Sequence, residues 1–165
     1  MGQQCETSSV LDIVLNDPGN CLALLDKRVL IQFRQSLLSH AALDAAAKHI
    51  IPVLCAQTTT IGAIAIINGD AGVMPPDIQK RQQELIGGLL ERPNMVMSTV
   101  TTGASIQATA ARAVGRVLLM GRGSGKLRHT TDLHEATAWL SEKLDFDVVT
   151  LRDVITTVKK QGKPP

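Results

Sequence analysis

Apolar positions along the chain switch between a period of two and a period near 3.6, the mark of strands interleaved with helices. Residues 10–15 form a short apolar stretch that fits an extra strand or one turn of helix. Asp17-Pro18-Gly19-Asn20 is turn chemistry, because proline presets φ and glycine and asparagine accept positive φ. The apolar runs 21–25 and 29–33 flank a polar tip, Asp26-Lys27-Arg28, and predict a β-hairpin. A helix follows, capped by Ser36 or Ser39, with Leu38, Ala41, Ala42, Ala45, Ala46 and His49 at helical spacing. Pro52 should stop or kink it. Residues 59–67 are β-rich and almost continuously apolar, which suits a central strand buried on both faces.

Residues 68–72 read as a loop, and Met74-Pro75-Pro76-Asp77 leads into a second helix, where proline fits the first turn. Ile78, Leu85, Ile86 and Leu89 give that helix one apolar stripe, while Lys80, Arg81, Gln82, Gln83 and Glu84 can stay in water. Pro93 ends it, and residues 94–100 form a further strand around Met95-Val96-Met97. Gly103-Ala104-Ser105 opens a third helix carrying Ile106, Ala110, Ala113, Val117 and Met120, which the glycine-rich run 121–125 terminates. Residues 126–131 suit a short edge strand whose charges discourage stray pairing. Asp132 caps a helix through Ala136, Leu140 and Leu144, and a last helix carries Val148, Leu151, Val154, Ile155 and Val158. The order predicts an α/β fold: a mixed, mostly parallel sheet of about four to six strands with about four or five helices. With no internal repeat or low-complexity linker, residues 1–165 read as one domain, its core at 20–144 and residues 145–165 an appended helix and basic tail.

Composition narrows the function more than it reveals it. The chain is 44% hydrophobic and 19% charged, ordinary for a globular domain. Its aromatic residues are Phe33, Phe146 and Trp139 alone, so Leu, Ile, Val, Ala and Met must build the core. A formal charge of +2 and so few stacking platforms argue against nucleic acid. Cys5, Cys21 and Cys55 make no CxxC pair, which points to reduced thiols in a cytoplasmic protein without disulfide or zinc. The start resembles no signal peptide, Glu6 stands where a myristoylation motif wants Ser or Thr, and no apolar run approaches a membrane span. The expected chain is soluble, with no membrane insertion.

Several segments invite a chemical reading. Gly121-Arg122-Gly123-Ser124-Gly125-Lys126 hints at a phosphate-binding loop, yet Met120 and Leu127 replace the required glycine and hydroxyl, and the run follows a helix instead of opening one. It reads as a helix end and turn. Thr101, Thr102, Gly103 and Ser105, at a helix start, could present free N–H groups and hydroxyls to an anion, or simply cap the helix. Arg112 and Arg116 lie four apart on one helix face, with Arg122, Lys126 and Arg128 beyond, and converge on an acidic partner or merely stay solvated. His40, His49, His129 and His134 match no metal signature, no cofactor motif stands out, and no catalytic motif does either. The stripe Val148, Leu151, Ile155, Val158 packs on its own domain or makes a homodimer contact.

The element order and three stretches together resemble the STAS-like domains of anti-sigma-factor antagonists, with their SpoIIAA-like fold, closest to those of myxobacterial type. The stretches are Met74-Pro75-Pro76-Asp77, the arginine-bearing run 111–120 leading through Arg128-His129-Thr130, and Glu135-Ala136-Thr137-Ala138-Trp139-Leu140; the resemblance spans roughly residues 20–144. It implies a non-catalytic module that binds a regulatory protein, through Asp70, Gly72, Met74 and the arginine run. In the antagonist branch a serine at the start of the second helix is phosphorylated. Here Ala71 stands at that place, and no Ser, Thr or Tyr occurs between Ile61 and Met97, so a hydroxyl phosphoswitch is chemically impossible in this loop. The expected function is therefore a cytoplasmic adaptor without that switch; the alternative is a small-anion binder or enzyme using the helix start at 101–105.

Overall fold

The computed structural model describes residues 9–105, 108–109 and 125–163. Strands β1 (Leu11–Asp17), β2 (Asn20–Leu25) and β3 (Val29–Arg34) form an antiparallel meander. Strands β4 (Ile61–Asn68), β5 (Met95–Thr102) and β6 (Leu127–Thr130) then join in parallel, giving one six-stranded sheet in the order β1-β2-β3-β4-β5-β6. The fold is α/β with a mixed sheet, as the alternating pattern predicts. The open choice at residues 10–15 resolves as the edge strand β1.

Local chemistry explains both hairpins. Pro18-Gly19 turns β1 into β2, with Gly19 at φ +81°, a conformation closed to most side chains. Asp26 and Lys27 both take positive φ, 50° and 56°, and the Arg28 N–H closes the turn on the Leu25 carbonyl at 3.0 Å. That turn sets the register, pairing Leu25 with Val29 and, at the far end, Asn20 with Arg34.

Helix α1 begins at His40–Ala45, passes through a π-helical turn at Ala46–Ile50 and continues over Ile51–Cys55. Ser39, not Ser36, is its cap, accepting the Ala42 N–H at 3.2 Å. Pro52 neither ends the helix nor leaves it regular: the wider turn just before it accommodates the missing N–H and the ring. Helix α2 (Pro76–Leu90) starts on proline, and both α1 and α2 lie on one face of the sheet. Helices α3 (Leu133–Leu144) and α4 (Val148–Gln161) cover the other, each started by an aspartate: Asp132 accepts from the His134 N–H and Asp147 from the Thr150 N–H, both at 2.7 Å.

β4 is the centre of the molecule. Every residue from Ile61 to Ile66 is buried, as expected of a strand sandwiched by helices. Gly62 is required by packing, since a Cβ there would lie 2.7 Å from the Leu144 side chain. The C-terminal helix is not an appendage. Leu151, Ile155 and Val158 are fully buried against β2 and β3, so these positions of the stripe pack on the domain's own core. Of the third helix expected from the sequence, Ala108 and Thr109 are helical; Ile106 and residues 110–120 lie outside the described residues. Among the described residues no helix is long and apolar enough to cross a membrane.

Candidate functional site

Parallel strands deliver their C-terminal ends to one edge of the sheet, and loops there carry binding groups in α/β folds. Here that edge holds the β4–α2 loop and the turn after β5. The Asn68 side chain accepts the Asp70 N–H at 3.0 Å, and the Gly69 N–H reaches the Thr102 carbonyl at 2.8 Å. Gly69 is needed because a Cβ would approach the Ala108 Cβ to 2.6 Å. The Asp70 carboxylate then accepts the Ser105 N–H at 3.2 Å, while the Ser105 hydroxyl accepts the Ala108 N–H at 3.1 Å. Gly103, at φ +105°, lies so close under this carboxylate that a Cβ would meet Asp70 Oδ2 at 2.7 Å.

Two groups of sequence candidates thus meet. Asp70 and the segment Thr101, Thr102, Gly103 and Ser105 form one hydrogen-bonded unit, and the anion facing the helix start is the chain's own carboxylate. Thr101 is buried, and the Thr102 hydroxyl donates to the Ile67 carbonyl at 3.3 Å. Beyond Asp70 the loop turns outward. Gly72 and Val73 are exposed, Met74 is half-buried, and the exposed Pro75 and Pro76 begin α2. Leu37 lies beneath Gly72, and His40 at the start of α1 pairs with Asp77 at the start of α2, Nε2 to Oδ2, at 2.9 Å. The Asp77 carboxyl is held below its ordinary range, first by the Ile78 N–H and then by His40.

The basic candidates stand apart from this edge. Lys126 immediately precedes β6 and donates from Nζ to the Arg92 carbonyl at 3.2 Å, toward the opposite end of the sheet. Arg128, on β6, is paired with Glu135 of α3. Arg112, Arg116 and Arg122 lie outside the described residues, as do residues 121–124 of the glycine-rich run. Gly125-Lys126 leads into a strand, not a helix. Cys21 is buried, which pushes its thiol pKa up, and Cys55 is exposed; both are free.

A second feature was not among the sequence candidates. Between the sheet and helices α1 and α2 lies a cavity of about 50 Å³, lined by Leu22, Leu30, Ala63, Ala65, Leu85 and Met97 among others, with Gln32 and Gln82 its polar walls. One pleat above Gln32 and Leu22, on that face, stand Arg34 and Asn20, cross-strand neighbours. Asn20 is 6% exposed; its amide N–H donates to the Ser36 hydroxyl and the Leu37 carbonyl, but Oδ1 has no donor among the described residues. Arg34 Nε is likewise buried without an acceptor among the described residues, and desolvation lowers the guanidinium's pKa. Strand alternation alone puts Gln32 and Arg34 on one face, so a signal for this site was present.

No family model, curated protein or solved structure matches the chain.

Proposed function

We propose that the protein is a non-catalytic adaptor of STAS-like type, engaging a regulatory partner in the cytoplasm through the loop between β4 and α2. The order of hairpin, helix, strand, helix, strand supports the family reading, and the observation that carries the binding reading is Val73. It is 81% exposed, next in the chain to Gly72, which lies over the 39%-exposed Leu37, on a loop restrained at both ends by Asp70–Ser105 and His40–Asp77. An apolar side chain held outward on a restrained, proline-bearing segment loses little conformational entropy when a partner covers it. Ala71, where a phosphorylatable serine would stand, leaves this loop a constitutive surface. The anion-binding alternative is less well supported, because a ligand at the 103–105 turn would have to displace Asp70.

The test compares proteins that co-purify with the untagged wild type and with Val73→Asp. The expected outcome is a stoichiometric partner retained by the wild type and lost by the variant, with an unchanged melting temperature, since an exposed site tolerates the charge. A partner held equally by both, or none with either, overturns this reading.

A further inference from the structure

The cavity between the sheet and helices α1 and α2 combines apolar walls with two uncharged polar groups. Leu22, Leu30, Ala63, Ala65 and Met97 give it an apolar floor, and Gln32 of β3 and Gln82 of α2 each bring one primary amide. Both glutamines are half-buried, and neither amide makes a hydrogen bond among the described residues. Among those residues no charged side chain lines the cavity, and Arg34, two positions on along β3, lies outside its walls. Small side chains leave the room, Ala63 and Ala65 from the sheet and Ala42 and Ala46 from α1. Ala46 also opens the π turn of α1, a rare element that recurs at functional sites. Access lies beside α2. Only Ile78 and Leu89 of its 15 residues are buried, and Gly87 and Gly88, with nothing within 4 Å of where a Cβ would stand, weaken its last turns.

We propose that this cavity binds a neutral short-chain aliphatic amide, its alkyl chain on the floor at Ala63 and Ala65 and its head group held by Gln32 and Gln82. A primary amide offers both donors and acceptors, so a pair of them is matched by a head group that also has both. A carboxylate would bring acceptors alone and an ammonium donors alone, and either would enter apolar walls without a counter-charge. Size bounds the chain. A water-sized group needs about 10–15 Å³ of such space, so a cavity of about 50 Å³ takes roughly three to five carbons. The apolar walls supply the attraction, and the two glutamines select the head group.

The proposal stands apart from the adaptor reading, since none of these residues belongs to the loop at Val73. The test is an NMR titration of the wild type, carbon-13 labelled at its methionine methyls, with pentanamide, pentanoate and pentylammonium. Met95 and Met97 line the cavity and Met74 sits on the loop, so their signals report on the two places separately. Saturable shifts of Met95 and Met97 with pentanamide are expected, and binding of both ions weaker by about tenfold or more. Gln32→Leu and Gln82→Leu, which remove an amide at similar size, should each weaken pentanamide about threefold to tenfold, the value of a neutral hydrogen bond. Ala65→Leu fills the cavity from the sheet and Ala46→Leu from α1; whichever melts cooperatively should no longer bind. Lack of a saturable shift of Met95 and Met97 with pentanamide overturns the proposal. So does binding that survives the filled cavity, that ignores both glutamine substitutions, or that holds either ion as tightly.

Discussion

On the side covered by α3 and α4, β4 presents Gly62, Ile64 and Ile66 to Leu140 and Leu144, and the contact is tight enough that a single added carbon at Gly62 would collide. On the side covered by α1 and α2, the same strand presents Ile61, Ala63 and Ala65, and the helices above contribute Ala42 and Ala46. Both sides are apolar and both are buried. One is filled and the other keeps a void. Protein interiors are packed near crystal density, so the void marks the α1–α2 side as the less tightly packed of the two. The filled face anchors the sheet; the looser face sits beneath the loop edge, where α1 and α2 begin.

The largest effect should come from breaking the filled face. Leu151→Ala removes a fully buried side chain from it and should cost about 2–5 kcal/mol, read as a fall in the urea midpoint at unchanged slope. Next comes enlargement on the two sides. Ala136→Leu, at a fully buried position of α3, should cost about 1–3 kcal/mol by overpacking. Ala65→Val, facing the void, should cost nothing measurable or stabilise; an equal loss in the two variants would erase the distinction between the faces. Capping should not distinguish them. Ser39→Ala on α1 and Asp132→Ala on α3 each remove a side chain that accepts a helix N–H, and each should cost about 1 kcal/mol in thermal or chemical unfolding.

The smallest effect is electrostatic. Glu135 accepts from the Thr130 hydroxyl at 2.6 Å and pairs with Arg128, and these two contacts, the hydroxyl first, hold its carboxyl below the ordinary value of 4.5. A depressed carboxyl pKa in the folded state stabilises at pH above the unfolded value and loses that contribution as pH falls through the folded one. Stability profiles of wild type and Glu135→Gln should therefore stay separated by a constant gap above about pH 4.5 and draw together as pH falls below it. A difference between the profiles that does not change as pH falls below about 4.5 would show the contact at β6 to be energetically silent.

Most of the fold could be read in advance where a residue's role depends on near neighbours. The turn at Pro18-Gly19, the hairpin tip at Asp26, the caps at Asp132 and the proline start of α2 are all local chemistry, and all appear where expected. Pro52 was legible as a disturbance but not as a π turn, because the outcome depends on whether packing holds the helix together on both sides. The site was legible in pieces only. Asp70 and Ser105 are 35 positions apart, and only the parallel pairing of β4 with β5 brings them together. Asn20 and Arg34 could have been matched by counting outward from the hairpin tip, since Leu25 opposite Val29 forces Asn20 opposite Arg34. That Asn20 is buried beneath the Ser36–Leu37 segment could not, because that contact depends on how the chain folds back after β3.

The chain's apolar spacing and turn residues were enough to set the elements, their order, and the burial of the 61–66 run on both sides, because these follow from backbone geometry and the exclusion of apolar surface from water. The three-dimensional packing decided the rest: that the Asp70 carboxylate fills the helix start at 103–105, that the final helix belongs to the core, and that one side of β4 keeps a cavity. Each depends on distances between segments remote in the chain, and alternation or periodicity reports only which way a side chain faces, never what it meets.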